Sequence, residues 1–96
     1  METFEYVIVG AGSAGCVLAN RLSADPEVTV CLLEAGPRDL HPMIHIPAGF
    51  MKTLTDPWVN WLYEAEPSEG TAGRVIAAPR GKTLGGSSSI NGHIYN

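Results

Sequence analysis

The sequence predicts an α/β fold built on a βαβ unit, and three observations predict it. Tyr6–Val9 is an unbroken apolar run. Gly10-Ala11-Gly12-Ser13-Ala14-Gly15 follows at once and opens an amphipathic run to Leu22. A second apolar run, Val28–Leu33, ends on the acid Glu34. Strand, glycine turn, helix, strand and acid come in the order in which a βαβ unit holds the ADP part of a dinucleotide.

Each element has a physical reason. Four consecutive apolar positions suit a parallel strand buried on both faces. Gly10 permits the tight turn out of that strand, Gly12 lets a pyrophosphate approach the backbone, and Gly15 lets the helix pack close to the sheet. The helix is expected to start near Ser13, with its unpaired N–H groups and positive dipole end facing a diphosphate. Ala14, Val17, Leu18 and Leu22 share one helical face suited to the sheet. Asp25-Pro26 is a turn into the second strand. Glu34 stands about 20 residues past Gly15, where a carboxylate accepts hydrogen bonds from ribose hydroxyls and repels a 2′-phosphate, which disfavours NADP. A turn alone would not require three glycines at this spacing.

Composition narrows the function. The chain has 96 residues, enough for one small domain, and 45% of them are hydrophobic. The net charge is −4 with only six Lys and Arg, which offers no basic stripe for nucleic acid. No apolar run approaches the roughly 20 residues of a membrane span, and Met1–Glu5 lacks the features of a signal peptide. A cytoplasmic protein is expected. Cys16 and Cys31 are expected to be small buried side chains. They form no C-x-x-C pair and share no ligand spacing with His41, His45 or His93, so no metal site is expected.

The rest of the chain is more irregular. Gly36-Pro37 breaks it after Glu34. Residues Arg38–Leu54 read as an extended excursion, with a short helix around Gly49–Thr55 and a turn at Asp56-Pro57. Asn60–Glu64 alternates as a half-buried strand does. Ser68–Gly73 is a polar surface loop, and Arg74–Pro79 is the returning strand of a hairpin. For Trp58 and Trp61 the plain expectation is burial in a core or lid, and the functional one is a wall of a ligand cavity. Two parallel strands fall short of a doubly wound sheet, and Ile94-Tyr95-Asn96 stop without a cap. The chain therefore reads as the N-terminal piece of a larger protein.

A second glycine-rich stretch follows, Pro79-Arg80-Gly81-Lys82-Thr83-Leu84-Gly85-Gly86-Ser87-Ser88-Ser89-Ile90-Asn91-Gly92. It makes a poor strand and a poor helix interior. It makes a good loop into a helix N-terminus, with Ser87 placed to cap it, and brings N–H and O–H donors to a phosphate or a flavin ring. It is not a Walker A loop, because position 76 is Ile76 where that loop needs glycine. Leu84 and Ile90 bracket it as apolar anchors, unlike a flexible linker.

The two glycine stretches together, with Leu33-Glu34-Ala35-Gly36 and Asn60-Trp61-Leu62-Tyr63, resemble the glucose–methanol–choline (GMC) oxidoreductases over the whole chain. Within that family the motifs look most like bacterial acceptor-linked alcohol dehydrogenases and choline dehydrogenases. The resemblance implies the N-terminal portion of a Rossmann-like FAD-binding fold, a βαβ unit plus excursion and hairpin. Residues 1–96 would be the N-terminal part of that domain, with its remainder and the substrate domain absent. It implies hydride transfer from an alcohol to FAD, with electrons passed to a non-nicotinamide acceptor, quinone or oxygen. Ser13 and Ala14 would lie at the pyrophosphate and Glu34 on the adenosine ribose. Gly10, Gly12, Gly15, Ala35 and Gly86 complete the nearby cofactor-binding set, and Ser87, Asn91, Gly92 and Ile94 would lie beside the diphosphate and flavin. Some members attach FAD through a histidine in the second motif. Ile90 stands there, which implies non-covalent FAD.

Relatives place a catalytic histidine, with a second histidine or an asparagine, near a far C-terminus, where it acts as base towards the substrate hydroxyl. Nothing in this chain matches it, so no catalytic residue is assigned, and the 96 residues alone are expected to be inactive. Peripheral association with an inner membrane would run through segments absent here. Two other readings stay open at this point. A nicotinamide-dependent dehydrogenase would fit the first motif and leave Gly85–Gly92 unexplained. A nucleotide-binding module without activity would fit the missing base.

Overall fold

The computed structural model describes residues 1–94; the uncapped end expected at Tyr95 and Asn96 lies outside them. Strand β1 (Tyr6–Val9) runs parallel to β2 (Val30–Leu33), pairing Tyr6 with Val30 and Val9 with Leu33. Helix α1 (Ser13–Leu22) crosses between them and starts at the expected residue. β2 begins two residues later than the apolar run because the Val28 N–H is bonded to the Asp25 carbonyl at 3.1 Å in the preceding turn.

Three expectations about this unit require correction. β1 is not buried on both faces: Ile8 is 9% exposed, but Val7 and Val9 are 55% and 84% exposed. Among the described residues the parallel sheet has two strands, and α1 covers one of its faces. The packed line of α1 is Gly15, Ala19 and Leu22, while Ala14, Val17 and Leu18 are exposed. Gly15 sets that rotation. A Cβ on Gly15 would overlap the Gly10 carbonyl, so only a glycine allows the helix to sit this close to the turn. The same rotation turns Cys16 outward. It is exposed rather than buried, with its thiol 3.3 Å from the Ala11 carbonyl, and Cys31 is half-buried.

The excursion is more helical than expected. It holds α2 (Pro42–His45), a 3₁₀ turn (Pro47–Gly49) and α3 (Phe50–Thr53), the last within the segment where a short helix is predicted. His41 explains α2. Its Nδ1 accepts the Met43 N–H at 3.1 Å, Pro42 occupies the first helical position, and its Nε2 lies 2.9 Å from an Asp56 carboxylate oxygen.

The hairpin is present, displaced towards its turn. β3 (Tyr63–Ala65) pairs antiparallel with β4 (Ile76–Ala78), Tyr63 opposite Ala78. The strand cannot begin at Asn60, because Leu62 adopts φ +54°. A 3₁₀ turn (Glu69–Thr71) shapes the Ser68–Gly73 loop, closed by a Ser68 N–H bond to Thr71 Oγ1 at 3.1 Å.

A buried asparagine joins excursion and hairpin. Asn60 is 2% exposed. Its Nδ2 donates to the Thr53 and Leu54 carbonyls at 3.2 and 3.0 Å. Its Oδ1 accepts the Leu62 and Arg80 N–H groups at 2.8 and 3.2 Å. Every hydrogen-bonding position that counts is used, which is what makes burial of the amide tolerable.

Candidate functional site

The first glycine turn is built by β1 and β2. The Gly10 N–H donates to the Leu33 carbonyl at 2.7 Å, and Gly10 takes φ +99°, which admits glycine readily. Gly12 caps α1 with no side-chain hydrogen bond. The first-turn amides of α1 are thereby left for an anion at the positive end of the dipole. A Cβ on Gly12 would meet no atom within 4 Å, so the space above it is open.

Glu34 lies at the end of β2, as expected, and grips backbone on two sides. Its Oε2 accepts the Ala11 N–H at 2.8 Å and its Oε1 accepts the Gly36 N–H at 2.8 Å. Each carboxylate oxygen keeps a further lone pair for a ligand hydroxyl.

The second glycine stretch is brought against the first. Pro37 O accepts Thr83 Oγ1–H at 2.8 Å and the Leu84 N–H at 3.1 Å. The Gly85 N–H donates to the Ala11 carbonyl at 2.7 Å. Gly86, at φ +61°, lies so close to the first turn that a Cβ on it would come within 2.8 Å of the Gly12 Cα. Ser13 Oγ and Ser88 Oγ are 3.1 Å apart, and Ser88 Oγ donates to the Gly85 carbonyl at 2.6 Å.

Ser87 does not cap a helix. Residues Gly86–Ser89 form a short 3₁₀ turn with Gly85 at its N-cap, φ +90°. Ser87 Oγ instead accepts the Gly81 N–H at 3.0 Å, which closes the loop on itself. Two adjacent positive-φ glycines turn the chain too tightly for Ser87 to reach the start of a regular helix.

Between the two stretches is an open cleft of about 620 Å³. Gly10, Gly12, Glu34, Ala35, Gly86 and Ser87 line it, six of the expected cofactor residues. Ser13 and Ala14 are exposed at the start of α1, and Gly15 is buried behind the turn. Asn91, Gly92 and Ile94 are exposed and do not line the cleft. Asn91 Oδ1 accepts the His93 N–H at 3.0 Å, and Ile90 is 3% exposed.

Trp61 and Tyr63 form an aromatic wall of the cleft. Their rings are stacked, 5.8 Å between centroids and 3° between planes, and Lys82 Nζ lies 4.7 Å from the Trp61 ring centroid. Neither tryptophan is buried in a core: Trp58 is 66% exposed and Trp61 41%. Tyr63, Arg80 and Gly81 were not among the expected site residues, yet they line the cleft. No strand alternation pairs Trp61 with Tyr63, because Leu62 between them takes φ +54°, so the sequence carried no signal for Tyr63.

No histidine lines the cleft. Among the described residues no group of His, Cys, Asp and Glu gathers as a metal site would need, and no helix is long and apolar enough to cross a membrane.

Comparison with known proteins gives a consistent picture. The chain is 58% identical over 92 residues to an alcohol dehydrogenase [acceptor] of Pseudomonas putida, covering 96% of this chain and 17% of that protein. It is 50% identical over 101 residues to the mitochondrial choline dehydrogenase of Homo sapiens, again covering 17% of that protein. The crystal structure of pyridoxine 4-oxidase from Mesorbium loti superposes on 97% of this chain and 18% of its own, with a TM-score of 0.89 and 42% identity. A formate oxidase structure superposes with a TM-score of 0.80 and 39% identity, over 92% of this chain and 16% of its own. The chain thus spans about a sixth of the length of these relatives. The family model for GMC oxidoreductases matches residues 4–96, nearly the whole sequence. With two glycine stretches meeting over one cleft and an acid at its rim, this chain belongs to the GMC oxidoreductase family.

Proposed function

We propose that this chain binds FAD without a covalent link, as the N-terminal part of the flavin domain of an oxidoreductase acting on the CH–OH group of small alcohols. One observation carries the reading: Ser13 and Ser88, 75 positions apart, are joined so that both glycine stretches face one cleft with Glu34 at its edge. The residues fit a dinucleotide. The uncapped start of α1 and the open space over Gly12 suit a diphosphate, and the spare lone pairs of Glu34 suit ribose hydroxyls. Ser13 and Ala14 would lie at the diphosphate, with Ala35 near the ribose. Ser87, Asn91, Gly92 and Ile94 would lie towards the flavin.

When bound, FAD supplies the acceptor for hydride from the alcohol carbon. The residues here bind and orient it. None of His41, His45 or His93 lines the cleft, so the base that removes the hydroxyl proton is assigned to a part of the protein outside these residues, as is the substrate domain. The names of the relatives support an alcohol substrate and an electron acceptor other than a nicotinamide. A quinone acceptor would bring a cytoplasmic protein to the face of the inner membrane, whereas oxygen would require no such contact.

The test is the visible spectrum of the purified intact protein. A flavin spectrum, with FAD released stoichiometrically on denaturation, is expected. A colourless protein that binds NAD would overturn the reading.

A further inference from the structure

The contacts around the first glycine turn close into a ring. From Ala11 N–H the path runs to Glu34 Oε2, and from Glu34 Oε1 to Gly36 N–H, both at 2.8 Å. Pro37 follows Gly36 in the chain, and its carbonyl receives Thr83 Oγ1–H at 2.8 Å and the Leu84 N–H at 3.1 Å. The next residue, Gly85, returns its N–H to the Ala11 carbonyl at 2.7 Å. Ala11 and Thr83 are both fully buried, and a Cβ on Gly36 would overlap the Lys82 carbonyl. The ring is therefore tightly packed, and each of its bonds joins protein atoms to protein atoms.

We propose that Glu34 is a positioning residue: it holds the two glycine stretches in register before any ligand binds, by clamping Ala11 and Gly36 as well as offering acceptors to a ribose. This rests on the nucleotide reading of the cleft and adds a second task to the same carboxylate. The chemistry sets the requirement. Ala11 N–H is a donor on a buried residue, and it would be left unpaired without an acceptor here. The two amides meet different oxygens of the one side chain, and a carboxylate has an acceptor at each. The amide of a glutamine has one acceptor and one NH₂, so one of the two backbone donors would face another donor. The consequence reaches Gly86, whose place over Gly12 depends on the Gly85–Ala11 bond.

The experiment separates the two tasks. The intact apoprotein is titrated calorimetrically with ADP and with 2′,3′-dideoxy-ADP, which lacks the ribose hydroxyls. Glu34→Gln is expected to weaken both nucleotides by about fivefold or more, the effect of one unpaired buried donor. Thr83→Val, which removes one of the two bonds to the Pro37 carbonyl and leaves that of the Leu84 N–H, loosens the ring away from any ribose and is expected to weaken both by a smaller factor. A Glu34→Gln penalty confined to ADP, or a Thr83→Val variant that binds as the wild type does, would overturn the proposal.

Amide exchange in the ligand-free wild-type protein gives an arm that needs no variant. Ala11 and Gly36 are expected to exchange as slowly as the β1 and β2 ladder amides. Exchange at the rate of exposed loops would show that the clamp is not closed. Failure of the wild type to bind either nucleotide would sink the flavin reading, while the exchange arm would still decide the ring.

Discussion

Gly86 rests on Gly12, so close that a Cβ on the former would come within 2.8 Å of the Cα of the latter. Two glycines from opposite ends of the chain thus share one contact, and Gly86 cannot be enlarged towards Gly12. Gly86 also holds φ +61°, which costs another residue about 1–2 kcal/mol. Gly86→Ala is expected to lower both stability and flavin content. Denaturant unfolding and the flavin-to-protein absorbance ratio measure the two. Wild-type values in both would mean that the stretches do not meet as described.

Gly12→Val is expected to separate folding from binding. Gly12 has φ −79° and open space where a side chain would go, so the fold should tolerate valine at a cost of about 1 kcal/mol, that of a poorer N-cap. The side chain would project into the space suited to the diphosphate, and flavin binding should be lost. A folded variant with full flavin would show that the diphosphate lies elsewhere.

Asn60→Leu removes four hydrogen bonds and leaves the Thr53 and Leu54 carbonyls and the Leu62 and Arg80 amides without this partner. At about 1–3 kcal/mol for each buried group left unpaired, the loss should be at least about 3 kcal/mol. Urea unfolding of the intact protein reads it. A loss under 1 kcal/mol, about the value of one ordinary bond, would deny Asn60 its joining role.

Ile90 bears on how the cofactor is held. The resemblance sets it where a linking histidine would be expected, and an alkyl side chain has no nucleophile with which to form such a bond. Acid precipitation of the holoprotein should therefore leave the yellow chromophore in the supernatant. Colour retained in the pellet would require another point of attachment.

Residues 1–96 expressed alone should neither unfold cooperatively nor turn over simple alcohols. Val9 is 84% exposed, and Val17, Leu18 and Leu33 lie between 49% and 59%. Such a surface favours association over a single packed state. A sharp denaturant transition would refute the first half, and turnover above that of free flavin the second.

What was legible in the sequence was what local chemistry dictates. Gly10, Gly15 and the helix start at Ser13 follow from turn sterics and the helix terminus, and each lies where expected. Glu34 was legible as the acid ending β2, but its grip on Ala11 and Gly36 was not, because nothing local says which backbone donors a carboxylate will meet. Val17 and Leu18 misled because apolar spacing identifies a helical face without saying which layer covers it. The close approach of Gly15 to Gly10 decided the rotation instead. The joining role of Asn60 is not legible locally, because its partners are Thr53 and Leu54 on one side and Leu62 and Arg80 on the other. The place of Ser87 in a 3₁₀ turn is not legible, because the positive φ of the two glycines before it cannot be read from residue type alone.

The contact between Ser13 and Ser88 spans 75 positions, and that between Pro37 and Thr83 spans 46. Separations of this size make the cleft a product of long-range closure, which is slow to form relative to a helix or hairpin. They also impose an order during synthesis. A ribosome adding about 5–20 residues per second releases Gly86 roughly 3–10 s after Glu34. For that interval the nascent chain has its first turn and its acid but no roof over either. Flavin loading therefore belongs to the end of this segment's emergence, once Thr83–Gly86 has reached Pro37 and Ala11.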